Sequence, residues 1–280
     1  MNQNFLVIGG TGKTGRKVVN GLLERNQNVR VGTRSQNPPF DWDDSSTWAK
    51  ALEGMDKVYI VFYPDLAVPG ARQAIEGLTR EAVQAGVQKL VLLSGKGERE
   101  AELCEEVVMN SGRDYTIVRA SWFNQNFSES FLLEPILRGH VALPMPQARI
   151  PFVDTGDIAD VVVEVLMNDQ HNGKIYQLTG PRTMTFDETI EEISKATDRD
   201  IKYESVSIEA YKNIMQAAGL PRDYVWLFEY LFTEVLGNEK NAEITSDIEK
   251  VLGRKAKDFS EYARETAQSG IWNAEVVKSA

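Results

Sequence analysis

Short apolar runs alternate with amphipathic stretches along the first two thirds of the chain. Residues 5–8 (FLVI) are uninterruptedly apolar, and Val18, Val19, Leu22 and Leu23 then recur at helical spacing before Val29-Arg30-Val31 returns to an extended pattern. Strand, turn, helix and second parallel strand are predicted in that order. The pattern then repeats. Residues 57–63 (KVYIVFY) read as a strand ended by Pro64, and 71–85 as a helix closed by Gly86. A glycine just past a helix suits the left-handed conformation that ends it. Residues 89–93 (KLVLL) read as a strand running into Ser94-Gly95, 101–110 as a helix, and 115–118 (YTIV) as a strand. Such alternation predicts an α/β fold with a parallel sheet wound on both faces. After Ala120 the pattern loosens: 121–131 (SWFNQNFSESF) is polar and aromatic, and 139–151 is proline-rich and contains Met145. Regular pieces return at 157–167 and 174–178, while 185–196 and 221–236 read as helices, the latter rich in aromatic residues that suit either a core or a dimer surface. The expected organisation is a nucleotide-binding domain over 1–155, a helix and strand returning to it over 156–180, and a smaller, mainly helical C-terminal lobe over 181–280.

The turn after the first apolar run is GGTGKTG, with Gly9, Gly12 and Gly15 at every third position. That spacing permits a tight turn, lets backbone N–H groups approach a pyrophosphate, and points the positive end of the following helix at it. Strand, glycine turn and helix in sequence are the Rossmann-type dinucleotide fingerprint; the GxxxxGK[ST] spacing of a phosphate-loop NTPase is absent despite Lys13-Thr14. The second strand ends in Thr33-Arg34-Ser35. A ribose 2′-hydroxyl is usually held there by an acid, whereas a 2′-phosphate calls for a cation, so the expected cofactor is NADP(H). Ligands of doubly wound sheets lie beyond the C-terminal strand ends, which selects the loops at Gly9, Arg34, Phe62, Ser94 and Ala120.

Composition narrows the partners. The chain has 280 residues, 42% hydrophobic and 26% charged, with a net charge of −10, which argues against a nucleic-acid partner. No apolar run approaches the ~20 residues of a membrane span, and the N-terminus lacks an export signal pattern, so a cytoplasmic protein without a membrane partner is expected. The single cysteine, Cys104, fits a reducing compartment, and its neighbours Glu102, Glu105 and Glu106 disfavour a thiolate. His140 and His171 are far apart, are expected at the surface, and no GxSxG is present, so neither a metal site nor a serine hydrolase is expected.

With these landmarks the chain resembles the NmrA-like group of atypical short-chain dehydrogenases/reductases. The resemblance runs over nearly the whole chain: VIGGTGKTGRKV, Thr33-Arg34-Ser35, DWDD after a short third strand, LVLLSG, SGRDYTIVRASWFNQNF and PFVDTGDIADV. Within the group it looks most like the ergot-alkaloid-type NADPH-dependent reductases, which share the GKT loop, an FDW segment and a GRKAKDFSEYA-like stretch. The resemblance implies that Gly9, Thr11, Gly12, Lys13 and Thr14 hold pyrophosphate and ribose, and that Arg34 and Ser35 hold the 2′-phosphate. It places Phe62, Tyr63 and Pro64 near the adenine-side ribose and Ser94 near the nicotinamide. Trp122, Phe123 and Asn126 follow the strand at 115–118, and with Met145 they are expected to wall a substrate pocket.

One departure constrains the chemistry. Short-chain dehydrogenases carry Tyr-x-x-x-Lys at a helix start that corresponds here to Gly97 and Ala101, and a slip of one residue offers only Lys96 or Glu98. A ketone reduced by hydride becomes an alkoxide and benefits from a placed acid. An iminium ion or a quinone depends on positioning instead. Lys96 and Tyr63 are the weak catalytic candidates; a solvated lysine and a phenol packed beside the cofactor are the plainer expectations. Two function classes stay open: an NADPH-dependent oxidoreductase acting on a quinone, an iminium ion or an activated alkene, and a non-catalytic NADP(H) redox sensor working through a protein partner.

Overall fold

The structure, a computed structural model, describes residues 3–273. In chain order the elements begin with β1 (Asn4–Ile8), α1 (Gly15–Glu24), β2 (Asn28–Gly32), α2 (Trp48–Leu52), β3 (Lys57–Ile60) and α3 (Ala71–Gln84). Next come β4 (Lys89–Gly95), α4 (Arg99–Met109), β5 (Asp114–Ala120), α5 (Leu133–Arg138), β6 (His140–Leu143), α6 (Thr155–Met167) and β7 (Lys174–Leu178). The remainder are α7 (Phe186–Thr197), β8 (Lys202–Ser205), α8 (Ile208–Ala217), α9 (Arg222–Tyr230), α10 (Asp247–Leu252) and α11 (Phe259–Gln268).

The chain divides into two units. The first comprises Met1–Ala120, Thr155–Leu178 and Asp247–Arg254. Its sheet is six-stranded and wholly parallel, in the order β2-β1-β3-β4-β5-β7. Leu6, Ile8, Val58, Ile60, Leu90 and Leu92 share a core with α2, α3 and α4. The alternate residues Phe5, Val7, Tyr59 and Val91 are equally buried and turn to the opposite face, as the period of a strand requires. There α1 and α6 pack together, and Gly21 lets them: a side chain at that position would begin 3.0 Å from Val163 Cγ2. Because β1 lies between β2 and β3, the chain changes direction at β1, which opens a crevice at the C-terminal ends of β1 and β3.

At the other end of the sheet lie two lysines that the apolar runs disguised. Lys57 and Lys89 pair in register at the starts of β3 and β4 and are buried. Lys57 Nζ donates to Leu166 O (2.8 Å) and Asp169 Oδ1 (3.1 Å), and Lys89 Nζ donates to Asn168 O (3.2 Å). They satisfy the carbonyls at the C-terminal end of α6, where cations are favoured. Burial, and then Lys57 beside it, holds the Lys89 ammonium down to about 8. His171 was expected at the surface but is buried, with Nδ1 2.7 Å from the Tyr176 hydroxyl.

The second unit comprises Ser121–Asp154, Thr179–Ser246 and Lys255–Ala280. It is mainly helical, with one two-stranded parallel sheet of β6 and β8. Its core is aromatic, gathering Phe127, Phe152, Phe186, Phe232, Phe259 and Trp272. Thr185 and Glu188 close a capping box on α7. Asp258 caps α11 and is held by Arg182 through bonds of 2.7 and 3.0 Å. His140 is exposed, as expected, and meets Glu204 across β6 and β8 at 2.9 Å.

Three sequence expectations change. No third strand precedes DWDD: Pro38 and Pro39 withhold ladder donors, and a loop closed by Phe40 N to Thr33 O (3.0 Å) runs instead to an isolated bridge between Asp41 and Asp44. The boundaries at 155 and 180 are crossed, since 121–154 belong with the second unit and 247–254 return to the first. The stretch 221–236 is α9 followed by a π-helical segment, Leu231–Leu236, rather than one helix. Among the described residues no helix is long and apolar enough to cross a membrane.

Candidate functional site

The glycine turn sits in the crevice. Gly9 has φ +69°, and a side chain there would begin 3.3 Å from Val61 Cβ, just past β3. At Gly15 it would begin 2.1 Å from Gly9 O, and at Gly12 3.2 Å from the same oxygen, so crowding requires a glycine at Gly15, the left-handed φ favours one at Gly9, and the fit at Gly12 is tight. Gly10 is the one that the spacing missed: a side chain there would begin 2.8 Å from Val31 Cγ1. Thr11 is exposed and Lys13 half-buried, while Thr14 is buried at the N-cap of α1. Thr14 Oγ1 lies 3.1 Å from the hydroxyl of Tyr59, a wholly buried phenol whose pKa burial raises well above its ordinary value. No acid stands in the first turn of α1, so its positive end keeps its attraction for an anion. The residues fit a dinucleotide pyrophosphate.

At the end of β2, Gly32 lies against the β1 backbone, and Arg34 and Ser35 are exposed beyond it, with Ser35 Oγ 3.3 Å from Thr33 Oγ1. At the end of β3, Phe62 meets Trp42 edge-on at 4.8 Å, and Trp42 in turn meets Phe40 and Trp48 at 5.1 and 5.7 Å. Trp42 Nε1 donates to Val61 O (3.1 Å), which fastens this aromatic shelf to the β3 exit. The FDW segment that carried part of the resemblance is therefore a structural neighbour of Phe62. Pro64 is half-buried, and Tyr63 is 72% exposed at the same loop.

Near the C-terminal end of β4, Ser94 is buried and its Oγ donates to Glu105 Oε1 (2.6 Å). Glu105 is itself fully buried and held by Arg119 of β5, Nε to Oε1 at 2.8 Å and Nη2 to Oε2 at 2.5 Å. Ser94 thus directs its hydroxyl under α4, a role that its place in LVLLSG did not reveal. Lys96, expected as a solvated loop residue, is buried. Gly97 has φ +82° and Ala101 is fully buried, so neither position of the missing Tyr-x-x-x-Lys pair presents a proton. Burial, chiefly, pushes the Cys104 thiol up to about 12, in keeping with the expectation that a thiolate is disfavoured there. All twelve expected cofactor positions fall in the first unit, eleven of them beyond the C-terminal ends of β1, β2 and β3, and Ser94 as the penultimate residue of β4.

The expected pocket residues fall in the second unit. Trp122 lies 6.1 Å from Phe186, 5.6 Å from Phe232 and 6.4 Å from Phe131. Met145, at φ +60°, stands against Gly237, where a side chain would begin 3.1 Å from its Cε. Trp122 and Met145 therefore both border the segment Leu231–Leu236 and its end. Phe123 bridges to Val153, and Asn126 is half-buried in the short turn Asn124–Phe127. Asn124, which the sequence did not single out, is wholly buried with no hydrogen-bond partner for its amide, and Trp122 Nε1 likewise has none among the described residues.

A sequence model of the NmrA-like family matches residues 1–264. Prestalk A differentiation protein A of Dictyostelium discoideum is 29% identical over 94% of this chain and 92% of its own length. Agroclavine dehydrogenase of Claviceps fusiformis is 26% identical over 96% of this chain and 98% of its own. An NADPH-dependent quinone oxidoreductase of Escherichia coli, solved with NADPH, superposes with a TM-score of 0.78 at 20% identity, over 93% of this chain and 99% of that one, a likeness of fold.

Proposed function

The chain belongs to the NmrA-like family, and from that premise we propose that it is an NADP(H)-binding reductase that passes hydride to a quinone, an iminium ion or an activated alkene without a Tyr-x-x-x-Lys pair. The observation that carries the cofactor is the crowded turn at Gly9, Gly12 and Gly15 running into an acid-free helix start, with Arg34 at the end of β2. When bound, NADPH supplies the hydride. The turn and α1 hold the pyrophosphate, Arg34 and Ser35 hold the 2′-phosphate, and Phe62 with its aromatic shelf borders the adenine-side ribose.

The character of Gly97 and Ala101 supports the choice of acceptor. With no phenol or ammonium there, an alkoxide forming from a ketone would have no matched acid, whereas hydride delivered to an iminium carbon yields a neutral amine directly. A quinone yields a delocalised phenolate that solvent can protonate. Positioning then supplies most of the acceleration. The NADPH-dependent quinone oxidoreductase named above points to the quinone among these by analogy, and the agroclavine dehydrogenase to an oxidoreductase. In the second unit, Trp122, Phe123, Asn126 and Met145 are assigned to the acceptor, with Trp122 Nε1 a donor still to be satisfied.

Purified protein supplied with NADPH is expected to oxidise it in the presence of quinones or cyclic iminium ions and to leave simple ketones untouched, followed by loss of the reduced nicotinamide absorbance. Ketone turnover at comparable rate would sink the positioning-only reading. The second reading, an NADP(H) sensor acting through a protein partner, is favoured by one observation: the 29%-identical relative is a differentiation protein, named for no reaction. Binding of NADPH with silence across the acceptor panel would select it.

A further inference from the structure

Asp65 follows Phe62-Tyr63-Pro64 on the loop that leaves β3, and Glu98 ends the loop that leaves β4, immediately before α4. Their carboxyl groups are hydrogen-bonded to each other. Two carboxylates are acceptors only, so this bond requires a proton between them. Asp65 already accepts the Ala67 N–H at 2.8 Å, which favours its charged form, and the proton therefore belongs on Glu98. Glu98 is buried, and its carboxyl lies on the backbone of Gly95: a side chain at Gly95 would begin 1.8 Å from Glu98 Oε1. A glycine at the end of β4 thus opens the slot that the acid fills.

The surroundings keep the proton there. Glu98 faces Asp65 from the β3 loop and Glu100 and Glu105 from α4, and every one of these carboxyls disfavours a charge on it. The nearby cations of other elements are engaged: Arg72 of α3 with Glu76 (3.0 Å), and Arg119 of β5 with Glu105. Lys96 and Arg99 flank Glu98 on its own stretch of chain, and the Cys104 thiol of α4 stays neutral. Burial comes first and like charge second in raising the carboxyl well above the usual carboxylate range.

We propose that Asp65 and Glu98 form a proton-dependent clasp between the β3 and β4 loops, and that loss of the shared proton separates the loops and weakens NADPH binding as pH rises. The clasp joins Phe62-Tyr63-Pro64 to the Ser94 end of β4, and its effect on affinity rests on the reading that these two loops hold the cofactor. With the proton gone, the buried Glu98 carboxylate and the half-buried Asp65 carboxylate repel at hydrogen-bond separation, and the loop over 61–70 is the piece free of regular structure that can move. A Glu98→Gln variant keeps a donor toward Asp65 at every pH and carries no second charge.

The test is the NADPH dissociation constant of the full chain from about pH 6 to about pH 9, for the wild type, Glu98→Gln and Asp65→Asn. Amide hydrogen exchange over 61–70 is followed in parallel without cofactor and divided by the intrinsic base-catalysed rate. The wild-type constant is expected to rise at least about fivefold across the range, bounded by about tenfold per pH unit for one proton, with Glu98→Gln nearly flat. Corrected exchange over 61–70 should accelerate with pH in the wild type and not in the variant. Parallel affinity and exchange profiles for wild type and variants overturn the clasp. Should Glu98→Gln not fold, Asp65→Asn decides by the same comparison. Absence of NADPH binding at every pH would defeat the cofactor reading while leaving the exchange profiles to decide the clasp.

Discussion

Arg34 stands exposed beyond β2, where a ribose 2′-oxygen is read in doubly wound folds. Arg34→Ala is expected to weaken NADPH binding by about 1.5–3 kcal/mol, the scale of a charge-assisted contact, and to leave NADH little changed. Titration calorimetry with both cofactors checks it, and equal losses would remove the 2′-phosphate assignment. Single residues were legible where chemistry is local. A glycine forced into φ +69° or packed 2.1 Å from a carbonyl betrays itself by spacing. Burial is not local. Lys96 and His171 read as surface groups in the sequence, yet both are buried, and Lys57 and Lys89, inside apolar runs, are buried against 166–169 far away along the chain. Ser94 was assigned by its place in LVLLSG, but its Oγ direction depends on Glu105 and Arg119, on two other elements.

At the scale of elements, the Ser94–Glu105–Arg119 network ties β4, α4 and β5 together. Glu105→Ala would leave the buried Ser94 hydroxyl without its acceptor and the partly buried Arg119 with Glu102 alone, and about 1–3 kcal/mol of stability should be lost in denaturant unfolding. A change under about 1 kcal/mol would mean that water replaces the carboxylate there. In the second unit, the Arg182 hydrogen bond, helped by Ser260, holds the Asp258 carboxyl at about 2. A depressed carboxylate adds stability that is present above its unfolded value near 4 and lost as pH falls through about 2. Asp258→Asn keeps a cap on α11 but removes that charge, so the acid limb of a stability–pH profile between about 4 and 2 should flatten. An unchanged acid limb would assign it to other groups. Long apolar-periodic elements such as α1 and α3 were legible because their pattern spans several turns. β6, β8 and α10 were not, being four to six residues long and, in β8, mostly exposed.

Over the whole molecule the net charge of −10 sets a self-repulsion that salt screens. Raising salt from about 0.01 M to about 0.15 M should raise Tm by the 2–4 °C or so that ~1 kcal/mol is worth in a chain of this size. Scanning calorimetry near neutral pH reads it directly. A Tm that falls with salt would mean that surface ion pairs, such as Arg149 with Glu188, outweigh the net repulsion.

The sequence alone determined the parallel α/β plan of the first unit, the glycine turn and the cation at the end of β2. Alternation, turn geometry and side-chain charge are properties of a few neighbouring residues, and they survive whatever the rest of the chain does. The tertiary structure decided which residues share a unit, since 121–154 and 247–254 are sorted by the core they join rather than by their order. It also decided which polar groups are buried and with whom. The meeting of Asp65 with Glu98 over Gly95 has no trace in spacing, because it exists only once β3 and β4 lie side by side and their two exits are brought together.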